Sequence, residues 1–233
     1  MFAMVQLFWV EGLAVSGKKM RIVCISDTHN LHKNVILPEG DVVVCAGDIT
    51  NHGDLVDVAS FSKWVTSFGH SKVITIAGNH DFCFQDQSRN FAKYILEEHN
   101  ITYLEDSGCE FNGLNFYGSP WQPWFGGWAF NLHRGPELQR IWSKIPDDVS
   151  VLITHGMPYG ILDFAEYGQE LTGCEDLLKR IKELKHLKLF VGGHIHESRG
   201  EIVEYGKNKL HFVNASICTL QYSPTNSPIV VEI

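Results

Sequence analysis

The sequence predicts an α/β fold. Short β-branched, apolar runs recur, each ending in Gly, Asp, Asn or His, and segments of helical period lie between them. At 233 residues and 44% hydrophobic content the chain can build one substantial core and falls short of two domains.

Residues 1–19 are apolar, but Glu11 interrupts the run, no basic residue precedes it and no small-residue cleavage pattern follows. They are expected to be an N-terminal extension rather than a signal peptide, with a single domain over 20–233. No apolar stretch approaches the roughly 18 residues of a membrane span, so no membrane partner is expected. Buried strands are predicted at 21–26, 41–47, 72–78, 150–154 and 187–193. Between them, Leu55, Val58, Phe61, Trp64, Val65 and Phe68 share one helical face, and Phe91, Tyr94 and Ile95 another. Leu177, Leu178, Ile181 and Leu184 repeat the spacing, and further strands are expected at 210–215 and 229–233. Alternating strand and helix is the pattern of a βαβ sheet, which binds ligands beyond the carboxyl ends of its strands. The segment GSPWQPWFGGWAFNLHRG, 118–135, sets Trp121, Trp124, Phe125, Trp128 and Phe130 among glycines and prolines. It reads as a long ordered loop, whose rings either fill the core beneath it or form a wall for a purine.

Lys plus Arg total 19 against 27 for Asp plus Glu, a formal charge of −8, which argues against a long nucleic acid and fits a small phosphorylated partner. The cysteines (Cys24, Cys45, Cys83, Cys109, Cys174, Cys218) show no CxxC spacing, and a reducing, cytoplasmic setting is favoured.

Each of the five strand ends delivers a polar block: Asp27-Thr28-His29, Gly47-Asp48, Gly78-Asn79-His80-Asp81, His155-Gly156 and Gly193-His194-Ile195-His196. A lone histidine after a strand is more often a core-edge residue than a ligand. Five such blocks converging at strand ends point to a metal site.

D-x-H, GD, GNH[DE], H and GHxH in this order resemble the signature of the calcineurin-like metallophosphoesterase superfamily. Within it, AGDIT (46–50), YGSPWQPWF (117–125), FNLHRG (130–135), GHIHE (193–197) and VNASIC (213–218) resemble the group related to the brain protein 239FB. The resemblance implies a four-layer α/β/β/α sandwich of two mixed sheets flanked by helices. It implies that Asp27, His29 and His196 hold one divalent ion, that Asn79, His155 and His194 hold another, and that Asp48 bridges them. Two ions carry +4 against −2 from Asp27 and Asp48, leaving a positive site for a phosphoryl group. Nitrogen and oxygen donors without thiolate favour Mn, Fe or Zn. The resemblance makes His80 the catalytic imidazole and implies a phosphodiesterase acting on cyclic nucleotides or related diesters.

Phosphoprotein phosphatases of the superfamily read GDxxDRG, whereas this chain has Asn51 for the second Asp and His52 for the Arg. Protein phosphatase activity is therefore disfavoured. Asn51 is expected to orient His80 through its side-chain oxygen, and His52 either contacts substrate or is a solvated loop residue. The competing reading is a non-catalytic nucleotide-binding or scaffold protein on the same fold. An unbroken ligand set and His80 argue against it, and net charge argues against an exonuclease.

Overall fold

The computed structural model describes residues 19–205 and 209–233, so the expected extension, Lys19 apart, lies outside the described residues. Along the chain come strands β1 (Arg21–Ile25) and β2 (Val42–Cys45), helix α1 (Leu55–Thr66), strand β3 (Lys72–Thr75) and helix α2 (Arg89–Glu98). Strands β4 (Ile101–Tyr103), β5 (Ser107–Phe111) and β6 (Leu114–Ser119) follow, then the two-residue strands β7 (Gln122–Pro123) and β8 (Asn131–Leu132). Next are helix α3 (Pro136–Trp142), strand β9 (Val151–Thr154) and a hairpin of β10 (Phe164–Ala165) and β11 (Glu170–Leu171). Helix α4 (Glu175–Glu183) leads to β12 (Leu189–Gly192), β13 (Gly200–Tyr205), β14 (Lys209–Asn214) and β15 (Ile229–Glu232).

Two large sheets result. The first has the order β15-β1-β2-β3-β4, with β1 to β4 parallel and β15 antiparallel against β1. The second has the order β13-β14-β12-β9-β6-β5, parallel through its centre with an antiparallel strand at each edge. Parallel strands covered on both faces read as unbroken apolar runs, which is why VVVC and VLIT carry no polar alternation.

The alternation of side chains across each strand decides the layers. In β2, Val43 and Cys45 join Val58, Phe61 and Val65 of α1 and Ala92 and Leu96 of α2 in one core. Val42 and Val44 face the other way and meet Val151, Ile153, Leu189 and Val191 of the second sheet in another. Beyond that sheet, Leu152 and Phe190 pack on Leu138, Ile141 and Trp142 of α3 and on Leu177 and Ile181 of α4. Helices, sheet, sheet, helices: the chain is a four-layer α/β/β/α sandwich. Among the described residues no helix is long and apolar enough to cross a membrane.

Three differences from the sequence reading have local causes. Helix α2 buries Ala92 and Leu96, spaced four apart, while Phe91 and Tyr94 point outward at 65% and 57% exposure. Helix α3 was not expected, although Pro136 sits in its first turn, where a missing N–H costs nothing, and Leu138, Ile141 and Trp142 follow at helical spacing. Strands β1, β2, β3 and β12 also stop one to three residues before their expected ends, and those residues become part of the loops of the site.

Candidate metal centre

Both sheets present the carboxyl ends of their parallel strands to the same end of the molecule. Asp27 and His29 leave β1, Asp48 leaves β2, and Asn79 and His80 leave β3; His155 leaves β9, and His194 and His196 leave β12. Four of these residues bend the chain through the left-handed region, with φ of 53° at Asp27, 41° at His29, 51° at Asp48 and 69° at His194. Such turns cost on the order of 1–3 kcal/mol each for a residue with a side chain, and a fold keeps them where position matters more than strain. The turns hold one another: the Asp27 N–H donates to the Gly47 carbonyl and the His29 N–H to the Asp48 carbonyl, both at 3.0 Å. Two glycines allow the loops to close. A methyl group at Gly193 would overlap Asp27 Oδ2 and Ser26 Oγ, and one at Gly78 would overlap Asp48 Oδ1.

All seven expected ligands and His80 converge. Asp48 Oδ2 lies 3.3 Å from His155 Nε2, 3.7 Å from His29 Nε2 and 4.0 Å from His80 Nε2. Asp27 Oδ1 lies 3.4 Å from His196 Nε2, whose ring nitrogen stands 3.2 Å from His29 Nε2. His155 Nε2 is 2.9 Å from Asn79 Oδ1. Donor atoms of Asp27, His29 and His196 fall within 4.8 Å of one another, as do those of Asp48, His155 and His194 and those of His29, Asp48 and His80.

Backbone groups aim the side chains. His155 Nδ1 donates to the Ala46 carbonyl at 2.8 Å, His196 Nδ1 to the Thr219 carbonyl at 3.0 Å and His80 Nδ1 to the Asn51 carbonyl at 2.7 Å. A carbonyl can only accept, so each ring commits its Nδ1 proton outward and turns Nε2 to the centre, the arrangement metal-binding imidazoles use. The carboxylates are aimed as well: the His80 N–H donates to Asp48 Oδ1 at 2.8 Å, and the His194 N–H and Ser216 Oγ donate to Asp27 Oδ2 at 3.0 and 2.8 Å.

Without cations the cluster balances its own charge. Burial works to raise the Asp48 carboxyl, but the facing His155 imidazole outweighs it and holds the group below the usual carboxylate range. Burial would lower His155, and Asp48 instead lifts it to about 9. Burial likewise opposes ionisation of Asp27, and the His196 contact overrides it. His29, for which burial dominates, is pushed down to about 4 and presents a free lone pair. Buried carboxylates facing Nε2 atoms, with the Nδ1 protons of His155 and His196 committed to backbone carbonyls, are a donor set that fits divalent cations.

Four residues not assigned a role from the sequence belong to the site. Asp81, fully buried, accepts from the Gly78 N–H at 2.8 Å, the Thr50 N–H at 2.9 Å and the Thr50 hydroxyl at 2.8 Å, joining the β2 and β3 loops. Burial and the nearby Asp48 push its carboxyl up to about 7. Ser216 and Thr219 hold Asp27 and His196, and Tyr222 sets its ring edge-on to His29 and His196 at 4.7 and 5.3 Å between centroids. The block GNHD contained Asp81 and the motif VNASIC contained Ser216 without giving it a role, whereas nothing marked Thr219 or Tyr222. The expectation for Asn51 is corrected: its main-chain oxygen, not its side chain, holds His80. His52 is exposed and stacks on Trp128 at 6.2 Å.

A cleft of about 570 Å³ opens over Asp48, Asn79, His80, His194 and His196. The aromatic loop divides between the two uses expected for it. Phe130 is buried and Trp121 packs against it at 5.5 Å, while Trp124, Phe125 and Trp128 line the cleft, with Trp128 4.1 Å from His80.

Residues 20–198 match the family described as calcineurin-like phosphoesterase. The chain belongs to that family. As a calcineurin-like phosphoesterase it is 38% identical to the human metallophosphoesterase domain-containing protein 1, over 91% of this chain and 71% of the relative. It is 35% identical to a UPF0046 protein of Caenorhabditis elegans, over 92% and 75%. Among solved structures, the protein TT1561 of Thermus thermophilus superimposes with a TM-score of 0.57 at 14% identity, covering 92% of this chain and 99% of that one. A dimetal phosphatase from Danio rerio superimposes with a TM-score of 0.51 at 11% identity, over 91% of each chain. These structural likenesses concern the fold. Family membership and the clustered His and Asp side chains support a metal-dependent phosphoesterase, a hydrolase of phosphoester bonds with a small phosphorylated substrate.

Proposed function

We propose that the chain is a phosphodiesterase with a dinuclear metal centre. Asp27, His29 and His196 would hold one ion, Asn79, His155 and His194 the other, and Asp48 would serve both. The observation that carries this reading is the set of imidazoles whose Nδ1 protons are tied to backbone carbonyls while Nε2 turns toward two buried carboxylates. When bound, such ions lower the pKa of water and offset the charge that gathers on the phosphoryl oxygens. His80, with its Nδ1 proton fixed by the Asn51 carbonyl, presents Nε2 to the cleft and, carrying a second proton there as imidazolium, gives that proton to the leaving oxygen and returns to the neutral ring. Trp128 covers one face of that ring and limits its rotation.

Charge supports a diester over a monoester. Among the described residues lining the cleft the one Lys or Arg is Arg134, already engaged by the Thr172 and Gly173 carbonyls at 2.7 and 2.6 Å and by Glu175. With the charge of an attacking hydroxide added, a diester reaches −2 in the transition state, which the net +2 of two ions and two carboxylates would balance, whereas a monoester reaches −3 and would need a further cation. Trp124, Phe125 and Trp128 suit a nucleotide. Nitrogen and oxygen donors suit manganese, iron or zinc. All six cysteines are free thiols, which supports a cytoplasmic setting.

The test is hydrolysis of bis(p-nitrophenyl) phosphate and p-nitrophenyl phosphate by metal-stripped protein titrated with Mn²⁺, beside Asp48→Ala and His80→Ala. Rate that requires metal, favours the diester and vanishes in both variants is the expected result. Metal binding without turnover of either ester would overturn the reading in favour of a nucleotide-binding scaffold.

A further inference from the structure

A second element lines the cleft besides the aromatic loop, the β10–β11 hairpin with its base at residues 160–173. Tyr167, at its tip, is 99% exposed and yet lines the same cleft as Trp124 and Phe125, themselves 59% and 58% exposed, with Leu171 beside it. Large apolar groups left in water on two elements lining one cleft are the feature a ligand covers.

The hairpin is fastened on several sides. Asp163 Oδ2 accepts from the Gly160 and Gly173 N–H groups at 2.9 Å each, closing its base. The Glu166 N–H donates to Glu197 Oε1, and Ser198 Oγ to the Phe164 carbonyl, both at 2.8 Å, joining it to the turn that carries His194 and His196. Arg134 ties the far end of the aromatic loop to the hairpin base. The separation of the two elements is therefore set by the same backbone that places the candidate ligands.

These elements also have a direction. His80 stands against Trp128, whereas Phe125 meets His194 at 5.9 Å and the hairpin is bonded to Glu197 and Ser198. Phe125 and the hairpin thus lie on the His194 flank, away from the leaving oxygen assigned to His80, which Trp128 marks at the other end of the aromatic loop. Glu170 and Glu197 line this flank and Arg134 is engaged, so a charged anionic substituent gains nothing here.

We propose that Tyr167, with Trp124 and Phe125, clamps the ester substituent that stays on phosphorus, and that this substituent carries a flat, uncharged aromatic group, such as an aryl ring or the base of a nucleoside. The inference rests on the phosphodiesterase reading and gives that reading a substrate class. It makes Tyr167 a specificity-determining residue, on an element that family-defining ligands do not include.

The experiment uses the full chain with Mn²⁺ and compares bis(p-nitrophenyl) phosphate with methyl p-nitrophenyl phosphate, which share a leaving group and differ in the group retained. Tyr167→Ala removes an exposed side chain and spares the core. It is expected to raise KM for the bis-aryl ester about threefold to tenfold, the range of one lost aromatic contact, with kcat within about twofold and the methyl ester unaffected. Equal effects on both esters, or none, overturn the clamp. Calorimetric titration of metal-free protein with adenosine, which carries no phosphate, separates the two claims. Adenosine that binds in a Tyr167-dependent way to a protein without diesterase activity sinks the phosphodiesterase reading and leaves the aromatic clamp standing. Hydrolysis intact, with adenosine binding absent or indifferent to Tyr167→Ala, sinks the clamp alone.

Discussion

His80 donates its Nδ1 proton to the main-chain carbonyl oxygen of Asn51 at 2.7 Å, so the imidazole is oriented by an atom that every residue at position 51 would supply. Asn51→Ala should therefore retain diesterase activity within about threefold, because no hydrogen bond to the ring is lost. Steady-state kcat measured beside His80→Ala checks this; a loss approaching that of His80→Ala would mean that the Asn51 side chain acts on the ring after all.

Asp81 accepts from Gly78 and Thr50 on two different loops while fully buried. Asp81→Ala strips those buried donors of their partner, at about 1–3 kcal/mol for each group left unsatisfied. The variant should unfold at lower denaturant and be at least about 3 kcal/mol less stable, while Asp81→Asn, which keeps one acceptor oxygen, loses less. Urea titration of the metal-free proteins ranks the three.

Gly193 leaves no room for a Cβ beside Asp27 and Ser26. Gly193→Ala must push the Asp27 carboxylate off its position, and misplacement of a reacting group by about 1 Å commonly costs on the order of a hundredfold in rate. The expected variant folds, binds Mn²⁺ more weakly and turns over diester at least about a hundredfold more slowly. Metal titration followed by kcat at saturating Mn²⁺ tells weak loading from faulty placement.

His32 lies under α1, fully buried, with Nε2 3.0 Å from Ser60 Oγ, and burial pushes its pKa down to about 4. Above about pH 6.5 the imidazole is neutral folded or unfolded, and the group adds no pH dependence. As pH falls from there toward 4, the unfolded chain takes up a proton that the folded chain refuses, so stability drops by up to about 1.4 kcal/mol per pH unit. His32→Gln should flatten that acid limb. Denaturant midpoints at pH 7 and pH 5 for both proteins measure the difference; parallel shifts would place the acid sensitivity elsewhere.

The parts of this architecture that were legible in the sequence share one property: their signal is local. VVVC and VLIT announce buried parallel strands because both faces are covered, and the polar residues just past them announce loops at one end of a sheet. Helix α2 was legible as a helix but not in its rotation, since Phe91 and Tyr94 are large and apolar and nonetheless face outward. Ser216, Thr219 and Tyr222 were not legible as site residues, because they reach Asp27, His196 and His29 from outside every polar block, Ser216 and Tyr222 from nearly two hundred positions away. The same holds for Tyr167, whose only neighbourhood in the sequence is a turn.

That long reach has a consequence for how the chain is made. Asp27 takes its orientation from Ser216, and residues 26–27 receive backbone hydrogen bonds from Ile217 and Cys218, while β15 pairs along β1. A ribosome delivers Asp27, His29 and Asp48 long before it delivers residues 214–232, so the acidic half of the centre emerges without the segments that later hold it. During synthesis the nascent protein must carry that half unformed, and an ion that reaches it early meets a flexible chelator rather than a finished site. The finished donor set, and with it any discrimination among ions, therefore requires residues 214–232 to be in place against β1.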